Sequence, residues 1–496
     1  MSNLLSKSDY LLFLKHPAWL WLKKHDKAKL PPVDANLQAI FDAGHSFEPY
    51  AESLFPRIVK LGFGPYEEYL SLPTRTKSEL EKGTKIISQG RFEAEGITCI
   101  CDIVVKVSEN TFDLYEIKSS SKVKPEHLLD LAFQTIVLEA SRYKVRNVSV
   151  IHVNNEYVRK GEIDPKLITT TEDVTDKVKE KQEETKVGIK KALDVIASSQ
   201  IPDISPSLAK GSNAMKDWLP IYRNLRDIKP YSIYDLSYAK PDIVGKLEKL
   251  KIDKLEDIPD DFPLNDKQKL QVSTTKTGEE IIKKDEIKNF LSKLVFPLYF
   301  LDYETLGSVI PYFDGSKPNQ QIPFQYSLHT LDSPEGKLRH ATYLHKVNSN
   351  PAEAVSKSLQ ENIGEEGSVI VWNESFEKKC NKTLGALVPE FESFYEGINK
   401  RIIDLMIPFW EGWYVHKDFG GSASIKNVLP VLVPELSYKE LEVQEGKAAQ
   451  RVWMETVLDG KREEEKDKIL DDLDEYCKLD TLAMVEIYKR LLKLNT

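Results

Sequence analysis

Cysteine is scarce, four residues in 496 (Cys99, Cys101, Cys380 and Cys477), and the four are scattered. Cys99 and Cys101 fall on one strand face rather than in a metal knuckle, so the pattern excludes a disulfide scaffold and points to a reduced, cytoplasmic protein. No apolar run approaches the ~20 residues a transmembrane helix needs. The first stretch, MSNLLSKSDYLLFLKHPAWLWLKK, interrupts its apolar patches with Lys7, Asp9 and Lys15. It therefore lacks a signal-peptide core and reads as an amphipathic helix with no membrane partner. An excess of positive charge is also missing: 69 basic against 78 acidic residues leave a net charge of −9. That balance does not advertise a nucleic-acid binder, yet phosphate contacts need only a local basic face. Lys15, Lys23, Lys24, Lys27 and Lys29, and then Lys118, Lys122 and Lys124, are candidates, each run being equally compatible with a solvated face. The Gly420–Lys426 stretch has the composition of a phosphate loop but no Gly-Lys-Ser/Thr, which excludes nucleoside-triphosphate binding of that type. Ser424 is placed there to cap a helix running to Leu429, in a loop open to a substrate phosphate. No internal repeat is visible.

What the chain does have is length for two or three domains, each with its own core. The expected class is multidomain α/β, with boundaries at 1–226, 227–290 and 291–496. The most informative stretch is Phe296–Thr305, FPLYFLDYET. On a strand, Asp302 and Glu304 share a face and Tyr303 takes the other. Two carboxylates on one face suit a hard divalent cation such as Mg²⁺ or Mn²⁺, though a strand that merely ends in surface acids has the same pattern. Two later segments add acids. Asn373 and Glu377 follow the apolar strand Ser368–Trp372 and enter a helix. Tyr476 and Asp480, four apart, share a face of a final helix.

In this order the residues resemble the DEDDy branch of the DnaQ-like 3′–5′ exonucleases, over roughly 291–496. The resemblance implies an RNase H-like fold with IPFQYSLHTL and LRHATYLHKV as its second and third strands. It also implies metal binding by Asp302, Glu304, Glu377 and Asp480, and a water-orienting Tyr476. Glu377 stands where that family usually has Asp. Asp404 is a further acid expected near the site.

A second constellation lies between Gly44 and Asp164. GHSFEPYAESLF reads as a helix carrying Glu48. ITCICDIVVKV and TFDLYEIKSSS, joined at Ser108–Asn110, read as a β-hairpin. Asp102 sits in the first strand, and Glu116 and Lys118 share a face of the second. An Asp, a Glu and a Lys together can hold an ion and offset phosphate charge, although Glu116 and Lys118 would also serve as a plain surface pair. The next helix brings Gln134. Gly44 to Glu48, Asp102, Glu116-Ile117-Lys118 and Gln134 together resemble the PD-(D/E)XK nucleases, in particular the CRISPR-associated RecB-like exonucleases. The resemblance implies a restriction-endonuclease-like domain in which Glu48, Asp102 and Glu116 bind metal and Lys118 and Gln134 assist. Many members hold an iron–sulfur cluster. Here Ser6-Lys7-Ser8 and His16-Pro17 stand without the cluster's cysteines, so no cluster is expected.

Between the two, Thr169–Lys191 reads as a turn leading into a charged helix, 200–215 as a loop, and Pro230–Asp261 as two short helices resembling a helix-hairpin-helix without its Gly-rich turn. The whole plan resembles bacterial proteins of undefined role that couple these two nuclease types. The expectation is a metal-dependent nuclease acting on nucleic acid, DNA before RNA. The competing class is a nucleic-acid-binding or scaffold protein with one or both sites inactive.

Overall fold

The computed structural model describes residues 4–32, 34–437 and 445–494 and is mixed α/β. It divides into two units, Met1–Ile228 with Lys240–Lys246, and Lys229–Ala239 with Leu247–Thr496.

The first unit is built on a sheet of β1 (Leu5–Ser6), β2 (Val59–Lys60), β3 (Ile86–Ala94), β4 (Ile97–Ser108), β5 (Thr111–Lys118), β6 (Lys144–Val153) and β7 (Thr169–Asp173). The order is β2-β3-β4-β5-β6-β7. The expected hairpin is β4–β5, antiparallel, with Val104 opposite Leu114. Its other partner, β6, runs parallel to β5, and the connection is the helix Pro125–Ala140. That is the crossover a parallel pair requires. Early in β4, Ile97 and Thr98 pair in parallel with β1, which ties the N-terminal segment into the sheet.

Several local expectations change. The N-terminal stretch is two helices, Lys7–Lys15 and Pro17–His25, because Pro17 cannot continue the first and instead opens the second. His16, extended between them, accepts the Ala18 N–H at Nδ1. GHSFEPYAESLF is divided between the end of the helix Ala35–His45 and the short helix Glu48–Glu52. The threonines of Thr169–Asp173 form an edge strand rather than a turn, as β-branched residues favour. Pro230–Asp261 holds one α-helix, Pro241–Lys249, flanked by 3₁₀ turns.

The second unit contains β8 (Ile281–Ile282), β9 (Leu298–Leu306), β10 (Ile322–Leu331), β11 (Arg339–Leu344), β12 (Ser368–Val371), β13 (Ile402–Asp404) and β14 (Tyr414–Val415). Five strands run in the order β11-β10-β9-β12-β13, while β8 and β14 pair separately. β9–β10–β11 is an antiparallel meander, and β12 and β13 lie parallel to β9. β9 is nearly buried along its length, and its alternation separates two cores. Leu298 and Phe300 pack with Ile487 and Tyr488 of the final helix Lys466–Lys493. Tyr299, Leu301 and Tyr303 pack with Cys380 and Leu384 of the helix Glu374–Leu387. Each such buried aromatic contributes roughly 1.5–3 kcal/mol. Period two then sends Asp302 and Glu304 toward the final helix, on the face of Phe300.

Candidate active sites

The pairing of β9 decides where its acids can be reached. β12 runs beside it only as far as Phe300, paired with Ile370. Past that point, at the carboxyl ends of two parallel strands, the sheet opens where open α/β sheets usually bind ligands. An open pocket of about 230 Å³ lies there, lined among others by Asp302, Glu304, Glu377, Lys426, Tyr476 and Asp480.

Three of these carboxylates converge. Asp302, Glu304 and Asp480 each offer an oxygen within 4.8 Å of the others. Burial pushes Asp302 well up, reinforced by Asp480. Glu304 is raised by burial and by Asp302 and Asp480, against a partial offset from Lys426. Glu377 lies outside that group but lines the same pocket. It is 1% exposed, its Oε2 has no hydrogen-bond partner among the described residues, and burial followed by Asp302 raises its carboxyl. Tyr476, one turn before Asp480, packs its ring among Leu306, Trp453 and Leu473 while lining the pocket. An all-oxygen donor set of this spacing suits Mg²⁺ or Mn²⁺.

Asp404 does not join the carboxylates. It accepts the N–H groups of Asn373 (3.1 Å), Glu374 (2.9 Å) and Met406 (2.9 Å), clamping the junction from which Glu377 projects. Asn373 sits there in the left-handed region, φ 88°. Ser424 stands at the N-cap of Ile425–Leu432, but its hydroxyl makes no cap bond.

In the first unit, Glu116, Lys118 and Gln134 meet. Lys118 donates to Glu116 Oε1 (2.7 Å) and Asp130 Oδ2 (2.8 Å), and Gln134 Nε2 donates to Glu116 Oε2 (2.7 Å) and Asp130 Oδ1 (2.9 Å). Asp102 accepts the Ile117 N–H at Oδ2, 2.8 Å. Burial and Glu116 push Asp102 up to about 7. Burial alone would raise Glu116 too, but Lys118 and Lys7 hold it well below the usual range. Glu48 Oε1 lies 3.9 Å from His45 Nε2, and burial raises its carboxyl against partial offsets from His45, Lys60 and Lys7. Among the described residues, Glu48, Asp102 and Glu116 do not form a three-carboxylate group of the kind seen in the second unit.

Not all the lysines proposed as phosphate contacts are available. Lys23 and Lys24 each bind Asp9 at 2.7 Å, and Lys29 binds Asp26 at 2.9 Å.

The sequence reading missed four neighbours. Asp130 had a signal, since it precedes Gln134 by one helical turn. Lys7, Gly446 and Cys477 had none, because the groups they approach are distant in sequence, whereas Lys426 ends the Gly420–Lys426 loop already expected to be open to a substrate phosphate. Lys426 Nζ lies 5.8 Å from the centroid of the Tyr476 ring. A Cβ added at Gly446 would sit 3.5 Å from Glu304 Oε2. Cys477 Sγ is 3.8 Å from Asp302 Oδ2.

Residues 299–424 match a family described as a domain of unknown function, DUF2779, a segment that takes in Asp302, Glu304 and Glu377 but ends before Tyr476 and Asp480. The chain is 27% identical over 223 residues to the uncharacterized protein MG366 of Mycoplasma genitalium, a match covering 41% of this chain and 33% of that protein. It is 26% identical over 220 residues to the MG366 homolog of Mycoplasma pneumoniae, again 41% and 33%. With the uncharacterized protein UU173 of Ureaplasma parvum it shares 25% identity over 292 residues, 53% of this chain and 41% of that one. The chain thus spans about a third of the length of the first two of these relatives.

Proposed function

We propose that this protein is a metal-dependent nuclease that hydrolyses phosphodiester bonds of nucleic acid, DNA being the favoured substrate. In this reading the second unit is an RNase H-like, DEDDy-type 3′–5′ exonuclease and the first a RecB-like PD-(D/E)XK nuclease. The observation that carries the reading is the convergence of Asp302 and Glu304, from β9, with Asp480, from the final helix, into one group of hard oxygen donors.

Asp302, Glu304 and Asp480 would hold Mg²⁺ or Mn²⁺, with Glu377 on the pocket wall facing Asp302. A bound ion supplies Lewis acidity to the scissile phosphate and makes water a competent nucleophile at neutral pH. The chain's own groups do the rest. The Tyr476 hydroxyl orients the attacking water, Lys426 offsets the charge of the phosphate, and Trp372 and Phe376 in the pocket lining offer apolar faces to the terminal nucleotide. The burial of Glu304, Glu377 and Asp480 lowers the local dielectric and strengthens these interactions.

The test is release of nucleotides from 3′-labelled single- and double-stranded DNA and from RNA, with Mg²⁺ or Mn²⁺. Asp302→Asn should abolish release and weaken Mn²⁺ binding by more than the about 10–100-fold typical of losing an outer hydrogen-bond partner. Tyr476→Phe should bind Mn²⁺ normally and release nucleotides up to about 10²-fold more slowly, the scale of a misplaced reactant. Unchanged release by Asp302→Asn would refute the exonuclease assignment. Binding of nucleic acid without cleavage by either unit would favour the scaffold reading.

A further inference from the structure

The carboxylates of the first unit are engaged by a residue that the nuclease resemblance does not use. Lys7 Nζ lies 2.9 Å from Glu116 Oε1 and 3.9 Å from Asp102 Oδ1. Lys118 approaches the same Oε1 at 2.7 Å, and Gln134 takes Oε2. A carboxylate offers about four lone-pair positions, so three of the four on Glu116 are filled. On Asp102 one of the four is filled, by the Ile117 N–H at Oδ2.

The delivery of Lys7 is built into the fold. Lys7 is the first residue of its helix. Ser6 caps that helix reciprocally with Asp9, whose N–H donates to Ser6 Oγ at 3.2 Å while Asp9 accepts the Ser6 N–H at 3.1 Å. Lys23 and Lys24 grip the same Asp9. Behind Ser6, β1 is paired to β4, the strand that carries Asp102. Tyr10 stacks on Phe133, the residue before Gln134, with centroids 5.2 Å apart. Sheet, cap and stacking all fix the backbone from which Lys7 reaches the carboxylates. Only its four-carbon stem is free to swing.

We propose that Lys7 is a tethered cation occupying the place between Asp102 and Glu116 that a divalent ion would need, so that Mg²⁺ or Mn²⁺ binds the first unit only in competition with the Lys7 ammonium. A hard divalent cation requires oxygen ligands at about 2.0–2.1 Å, and an ammonium in contact with the same oxygens opposes it by charge and by volume. The inference rests on reading the first unit's cluster as a nuclease-type metal site.

The test uses the full-length chain carrying Asp302→Asn and Glu304→Gln, which silence the second cluster. Free Mn²⁺ is followed by electron paramagnetic resonance during titration, and melting temperature with and without Mn²⁺ gives a second readout. Adding Lys7→Met should tighten Mn²⁺ binding at least tenfold and make Mn²⁺ raise the melting temperature, and a further Glu116→Gln should reverse both. Lys7→Arg, which keeps the cation, should behave as Lys7 does. If Lys7→Met does not fold, Lys7→Gln replaces it with a neutral amide. Glu116-dependent Mn²⁺ binding of equal strength with and without Lys7 would overturn the inference and leave the nuclease-site reading standing. Absence of Glu116-dependent binding from every variant would overturn that reading, and the inference with it.

Discussion

Glu377 shows how one side chain can be costly for the fold and still belong to a site. It is almost fully buried, with one carboxylate oxygen lacking a hydrogen-bond partner among the described residues and Asp302 nearby. Burying a charge without a partner is expensive, and the group responds by holding its proton more tightly. Glu377→Gln keeps the shape and removes the charge. At pH 8 the metal-free variant should therefore melt higher than the parent, by about 2–4 °C for each kcal/mol of relieved desolvation in a unit of this size. The same variant should gain less from added Mn²⁺. Differential scanning calorimetry with and without the ion reads both effects, and a lower melting temperature in the absence of metal would show that the Glu377 carboxylate has a stabilising partner.

At the scale of elements, the site depends on the junction of β12 and the helix Glu374–Leu387, which Asp404 holds from β13. Its carboxylate takes three backbone N–H groups, two of them at the N-terminal end of that helix, where a negative charge also meets the positive end of the helix dipole. Asp404→Ala leaves those amides without their acceptor. The expected cost is about 1–3 kcal/mol, measurable by urea unfolding. Because the junction aims Glu377, Mn²⁺ affinity should fall together with stability, by about 10–100-fold. A variant that loses stability but binds Mn²⁺ as before would show that Glu377 is not needed at the ion. Near the final helix a second buried network acts in the same way. Thr481, beside Asp480, hydrogen-bonds Ser327 (2.7 Å) and His329 (2.8 Å) of β10, and Ser327 is in register with Asp302.

For the molecule as a whole, the acids make stability depend on pH and on metal in linked ways. Asp302, Glu304 and Glu377 have raised folded-state values, and Asp102 is raised to about 7. A carboxyl of this kind contributes stability that is complete below its unfolded value of about 4 and is lost as pH rises through the folded value. Glu116 is shifted the other way, so its contribution is lost only as pH falls below about 4.5 and is complete between pH 5.5 and pH 8. Burial shifts His127 and His329 down, and these groups gain stability over the same interval, so the acids are read by difference. From pH 5.5 to pH 8 the metal-free parent should lose more melting temperature than the Asp302→Asn, Glu304→Gln, Glu377→Gln variant, and the stabilisation by Mg²⁺ should grow. The same pH dependence in parent and variant would contradict the arrangement of carboxyls described. Among the described residues no helix is long and apolar enough to cross a membrane.

Strand alternation alone put Asp302 and Glu304 on one face, and helical spacing alone put Tyr476 and Asp480 on another, because those relations depend on two or four residues of backbone. The β4–β5 hairpin was legible for the same reason, being β-forming runs joined by a short turn, whereas the β9–β10–β11 meander was expected only from the resemblance, since residues 307–321 separate β9 from β10. The break at Pro17 was also there to be read, since proline lacks the N–H that a continuing helix needs, yet the apolar run obscured it. Contacts between distant segments are a different matter. That Lys7 would enter a carboxylate pair more than a hundred residues away, that Asp404 would hold backbone rather than join the acids, and that Lys426 would face Glu304 follow from strand order and helix packing. Sequence spacing encodes which side chains share a face, and only the tertiary structure decides which face meets which.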